Sequence, residues 1–279
     1  MTNSSTHRVE EHRKNGVSSS MERPEKYSLF GVDISATSYA EATEVIIAAA
    51  KRGQSAIMTH LPVHGLVLAS RDATLRSMIN CFDIVAPDGQ PVRWALKCFY
   101  GITLPDRVYG PENMLRLCEG AAATDIPVYL YGSYPLVVEN LRRTLERKFP
   151  RLQVVGCESP PFRPLTPEED QAVIRRINAT GAGIIFLGLG CPQQDVFAYE
   201  HRQSIQGIQV CVGAAFDFHA GSKKMAPAWM QRRGLEWLFR LVQEPRRLWQ
   251  RYLWTNSVFL FQLTSELCRR GFAKRAASP

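Results

Sequence analysis

The sequence predicts an α/β fold in which a parallel sheet is covered by helices and followed by a helical appendage. Three observations carry that expectation. Short strand-type and longer helix-type segments alternate about six times between residues 29 and 212, at lengths that suit right-handed crossovers. Gly183 to Gly188 is an unbroken apolar run, as in a strand buried on both faces. Beyond residue 228 the pattern changes to tryptophan, leucine and arginine with no further strand signal. The economical architecture is a Rossmann-like parallel sheet over residues 27–227, with a C-terminal helical appendage over residues 228–279.

The elements are expected in the following order. Residues 1–26 are rich in Ser, Arg, Lys and Glu, bury almost nothing, and read as a disordered leader. That segment lacks the apolar core of a secretory signal, so the default compartment is the cytoplasm. Leu29 to Ile34 reads as one strand, Ser38 to Lys51 as an Ala-rich helix, and Ser55 to Thr59 as a second strand. His64 to Met78 has apolar residues at helical spacing and leads into a short strand, Ile84 to Ala86. A helix around Val92 to Phe99, a loop from Gly101 to Gly110 and a helix from Pro111 to Ala122 come next, then a strand from Pro127 to Tyr131. Gly132-Ser133-Tyr134-Pro135 opens a helix to about Lys148, a junction whose free backbone N–H groups suit a phosphate. Leu152 to Gly156 is strand-like. Thr166 and Glu169 make a capping box for a helix ending near Gly181. After the Gly183 strand, Val196 to Ile205 reads as helix and Ile208 to Val212 as the last strand.

Several chemistries lose support from what the chain lacks. It has no G-x-G-x-x-G, no P-loop, no 20-to-50-residue repeat and no apolar run near the roughly 20 residues of a membrane span. The seven cysteines never form C-x-x-C and fit buried, reduced thiols. His60 and His64 stand four residues apart with Pro62 between them and no third ligand nearby, so a metal site is not expected.

Charge is unevenly distributed. From Gly221 onward there are twelve Lys or Arg and three acids, so this stretch carries +9 of a chain total of +8 and leaves the rest near −1. Four tryptophans (229, 237, 249, 254) are interleaved with those arginines. An apolar face rimmed with Arg and Trp suits a membrane interface or a phosphorylated ligand. Packing on the core with merely solvated arginines is the plainer alternative. Nucleic acid is disfavoured, because no recognition motif accompanies the charge.

Within the Ile84 strand's exit, Pro87-Asp88-Gly89 leaves a carboxylate where open α/β sheets bind ligands. The same tripeptide is also an ordinary turn. Asp217, after the last strand, is another such acid, and a structural cap is its alternative role.

The chain resembles the WecG/TagA/CpsF family of bacterial glycosyltransferases. The motifs are Asp83-Ile84-Val85-Ala86-Pro87-Asp88-Gly89, Asp106-Arg107-Val108-Tyr109-Gly110, Gly188-Leu189-Gly190-Cys191-Pro192-Gln193-Gln194, Gly213-Ala214-Ala215-Phe216-Asp217-Phe218, and Gly234-Leu235-Glu236-Trp237-Leu238-Phe239-Arg240 with Glu244-Pro245-Arg246-Arg247. They follow the family's order from about Leu29 to Phe261. The resemblance implies an inverting, metal-independent transfer of a hexose or N-acetylhexosamine from a UDP-sugar to a polyprenyl-diphosphate-linked saccharide. It implies a peripheral location on the inner face of the plasma membrane through the C-terminal appendage, with a homo-oligomer as a further expectation. Asp88 matches the proposed general base, Thr59 and Gln194 match pocket positions, and Arg240 and Arg247 match arginines suited to a diphosphate. Arg107, Gly132, Asp217, Arg251 and His60 complete the expected substrate contacts. The chain departs from the family where Thr59-His60-Leu61 replaces Thr-x-Asn, so His60 or His64 is expected to take over part of the lost amide's work. Glu112, Asp195 and Met225 are further replacements, and Gln250 stands at a family arginine with Arg251 beside it. The competing reading is a non-catalytic protein that binds membranes or nucleic acid through its basic tail.

Overall fold

The computed structural model describes Met21 and residues 23–276, with side chains through Arg270. Most of the expected leader therefore lies outside the described residues. Chain order begins with β1 (Lys26–Leu29) and β2 (Val32–Ser35), an antiparallel pair in its own sheet. This corrects the single strand expected over Leu29 to Ile34. Phe30 and Gly31 both have positive φ, 55° and 86°, and reverse the chain as a two-residue hairpin requires.

Next come α1 (Tyr39–Lys51), β3 (Ala56–Leu61), α2 (Val63–Arg71), α3 (Ala73–Asn80) and β4 (Ile84–Pro87). The helix expected from His64 to Met78 is thus two helices. Asp72 is extended, and its carboxylate accepts from Thr74 N at 2.8 Å and Leu75 N at 3.1 Å, which caps a new start. The chain continues through α4 (Gln90–Tyr100), α5 (Gly110–Ala123), β5 (Val128–Gly132), α6 (Pro135–Lys148), β6 (Val154–Glu158), α7 (Pro167–Ala179) and β7 (Ile184–Gly188). Both halves of the predicted capping box at Thr166 and Glu169 form. Then follow α8 (Gln193–Glu200), β8 (Ile208–Cys211), α9 (Ala215–His219), α10 (Ala228–Arg232), α11 (Glu236–Gln243) and α12 (Pro245–Ala276). Helix α8 begins three residues before the expected Val196. It stops at His201, whose ring bonds Phe197 O at 2.7 Å and Asp170 at 3.0 Å instead of continuing the helix.

Six parallel strands form the main sheet in the order β4-β3-β8-β7-β5-β6. Alternate residues feed two apolar layers. Ile57, Val85, Ile185 and Leu187 face one, under α2, α3, α4, α7 and α8; Met58, Ile84, Phe186 and Val210 face the other, under α1, α5, α6 and α9. Because every strand runs the same way, their carboxyl ends share one edge. That α/β, Rossmann-like arrangement with C-terminal helices is the predicted fold.

The last helices lie against this body. Phe259 is buried in the first layer, with its ring 5.8 Å from Phe30, and Gln262 on α12 donates to Ser70 on α2 at 3.0 Å. Arg270 donates to Phe99 O at 2.9 Å and lies over the Phe99 and Tyr100 rings. Among the described residues no helix is long and apolar enough to cross a membrane. All seven cysteines are free as expected, but only Cys118 and Cys211 are buried, and Cys81, Cys98 and Cys268 are exposed.

Candidate active site

Two aspartates bracket β4. Asp83, at the entrance, is buried; it accepts from Ile57 N at 2.9 Å and pairs with Arg23 at 2.7 Å and Arg202 at 3.2 Å. These partners use its lone pairs, and its role is structural. Asp88, at the exit, is half-buried, with 16% of its side chain exposed. Its nearest cation, Arg107 Nη1, is 4.0 Å away. Burial pushes the Asp88 carboxyl up to about 7; Arg107 opposes the rise, Glu236 reinforces it, and the Gly110 N–H and Arg240 oppose it.

Arg107 lies in the loop before α5 and is buried. Its Nη2 donates to Glu236 Oε2 at 2.6 Å and Gln231 Oε1 at 3.4 Å, and its guanidinium covers the Tyr109 ring at 4.2 Å. A residue expected to hold substrate is therefore occupied by the protein's own C-terminal helices. The seat for those helices includes Gly234, at φ 72°, where a Cβ would come within 3.2 Å of Gln90. That close approach lets Glu236 reach the core.

The remaining expected residues fall into three groups. Thr59 is fully buried and donates to Asp195 at 2.5 Å, while burial raises the Asp195 carboxyl to about 6. His60 sits in β3 and His64 in α2, so they share no helix face. The His60 ring is clamped between Cys211 O at 2.9 Å and Asn113 at 3.0 Å, and burial holds it near 4, hence neutral. Both partners are internal, which leaves that ring no atom for the missing amide's work. His64 is also held near 4 by burial and by Arg251, and its Nδ1 and the Arg251 Nε are buried with no partner.

Gln194 is buried beside Gly213 with its side-chain oxygen unpartnered. Gly132, at φ 141°, lies so close to Gly188 that a Cβ would meet the latter's backbone at 2.5 Å. This pinches β5 and β7 together at their exits.

Arg240 on α11 lies over Phe218, 5.8 Å from its ring, and within electrostatic reach of Asp88. Arg247 is exposed and paired with Glu244, which also pairs with Lys223 at 3.4 Å; Lys223 reaches Asp217 at 3.7 Å. Arg240 thus acts on Asp88 at a distance, whereas Arg247 and Asp217 belong to a separate surface chain of charges. Glu236 escaped the sequence reading. It stood within the Gly234–Arg240 motif and was an acid among twelve basic residues at the start of an amphipathic helix, but neither signal pointed to Arg107.

A titratable acid and guanidinium groups gathered at the carboxyl edge of a parallel sheet make the strand exits the candidate site of an α/β protein. Residues 27–273 match the family described as glycosyl transferase WecG/TagA/CpsF. The chain belongs to that family and is a glycosyltransferase.

Proposed function

We propose that the protein transfers a hexose or N-acetylhexosamine from a UDP-sugar to a polyprenyl-diphosphate-linked saccharide, with inversion, during cell-surface polysaccharide synthesis. The observation that carries this reading is the half-buried Asp88 carboxylate at the β4 exit, its proton affinity raised to about 7 beside the Arg240 helix. A base titrating near the working pH is the strongest one that is still substantially deprotonated there. In the proposed step the acceptor hydroxyl gives its proton to Asp88 as its oxygen bonds to the sugar's anomeric carbon. The bond from that carbon to the diphosphate oxygen breaks on the opposite face, and UDP leaves with the electron pair. Arg240 and, after release from Glu244, Arg247 meet the departing charge, in place of a divalent cation. The unpartnered Gln194 oxygen and the pinched Gly132 exit support a donor pocket between β5, β7 and β8. The C-terminal helices hold the enzyme on the inner membrane face, where its acceptor resides.

Turnover of a UDP-sugar panel with a lipid-diphosphate monosaccharide tests the assignment, with product configuration read by NMR. Asp88→Asn is expected to lower kcat by roughly 10²–10⁴-fold while the circular dichroism spectrum and UDP affinity stay as in the parent. Near-parental turnover would remove Asp88 from the mechanism.

A further inference from the structure

Arg107 is the only cation paired directly with Asp88 among the described residues, yet two of its hydrogen-bond acceptors come from elsewhere in the chain. Glu236 on α11 takes Nη2 at 2.6 Å, and Gln231 on α10 adds a weaker contact at 3.4 Å. The Nη1 branch stays at 4.0 Å from Asp88, the outer limit of an ion pair. One guanidinium is thus shared between two carboxylates, with the tighter contact given to the appendage. We propose that Glu236 and Arg107 form a positioning pair that sets the strength of Asp88 as a base. This rests on the reading of Asp88 as general base.

The charges around Asp88 act in opposite senses: Arg107, Arg240 and the Gly110 N–H lower its proton affinity, and Glu236 raises it. Around Asp88 stand Arg107 and Asp106 from the loop, Tyr109 beside them, Tyr39 from α1, the Gly110 N–H from α5, and Glu236 and Arg240 from α11. Remove the Glu236 charge alone, and Arg240 stays in reach of Asp88 while the balance at Arg107 changes. Arg107 then loses its 2.6 Å partner, and Asp88 is the acid its freed branch already faces. A carboxylate paired closely with arginine is commonly lowered by about 1–3 in pKa, and it attracts a hydroxyl proton correspondingly less. With its charge in place, Glu236 draws the guanidinium off and adds a second negative charge. Asp88 keeps the high proton affinity that the step needs. Gly234 suits this geometry, since its φ of 72° favours glycine and a Cβ there would crowd Gln90 at 3.2 Å.

The pH profile of kcat in the full-length protein tests the pair. Glu236→Gln is expected to shift the acid limb down by about one pH unit, as Arg107 turns to Asp88, and to lower the plateau roughly tenfold through a weaker base. KM for the donor is expected to stay within about twofold, because Arg107 acts through Asp88 and not on substrate. Glu236→Asp keeps the charge and is expected to restore much of the limb. It also serves as the primary reading if the glutamine variant loses its cooperative melt. A fall in activity with an unmoved limb would reduce Glu236 to scaffolding and overturn the proposal, as would a rise in KM alone for Arg107→Lys. Failure of Asp88→Asn to impair turnover would instead sink the base assignment, so the two failures are distinguishable.

Discussion

A single side chain can carry opposite consequences for stability and for chemistry, and Asp88, as the proposed base, is such a residue. Its folded-state value is raised from 3.8 to about 7, so the native state holds its proton more tightly than the unfolded chain. The corresponding stability is full below about pH 4 and is lost as pH climbs through 7; above that, a charged carboxylate in a half-buried site costs the fold on the order of 3 kcal/mol. Asp88→Asn should therefore raise Tm at pH 8 and change it little at pH 4.5, a contrast that differential scanning calorimetry reads directly. Asp83, at the other end of the same strand, is instead paired with two arginines. The sequence distinguished these two acids only by position, since Pro87 and Gly89 marked the exit. It could not reveal that Thr59 turns inward onto Asp195, or that Glu236 crosses to Arg107, because both contacts join residues more than a hundred positions apart.

At the level of elements, the strands of the main sheet were legible because apolar runs bounded by Gly and Pro leave little else for the chain to do. The misjudged pieces are those in which one residue overrides a smooth pattern. Phe30 in a left-handed conformation splits an apparent strand, and Asp72 splits an apparent helix by capping its second half. Helix α12 shows a further limit: its arginines and tryptophans announced a surface, while Phe259, Gln262 and Arg270 dock it on the core. Truncating Phe259 to Ala should cost roughly 3–5 kcal/mol of that docking. Hydrogen exchange would then show protection lost across 245–276 with β3, β7 and β8 still protected; uniform loss throughout the domain would mean the helix is integral to the core.

Across the whole molecule, charge and apolar exposure are both concentrated in the C-terminal helices. The stretch from Gly221 onward carries +9, and on the same helices Val242 is 75% exposed, Leu253 64% and Trp249 51%. Anionic surfaces attract such segments by about 1 kcal/mol per basic residue at the interface. Vesicles containing phosphatidylglycerol should retain the protein at low salt and release it as salt rises. The triple change Trp249→Gln, Leu253→Gln and Trp254→Gln should weaken retention even where charge is unaltered; equal retention by duplex DNA would instead favour a purely electrostatic surface. The clasp of Arg23 and Arg202 on Asp83 gives the molecule a polarity that is useful at the bench. It fastens the chain at the strand entrances, at the far end of β4 from Asp88, so a dye or solid support joined near Arg23 would leave the strand exits and the candidate site unobstructed.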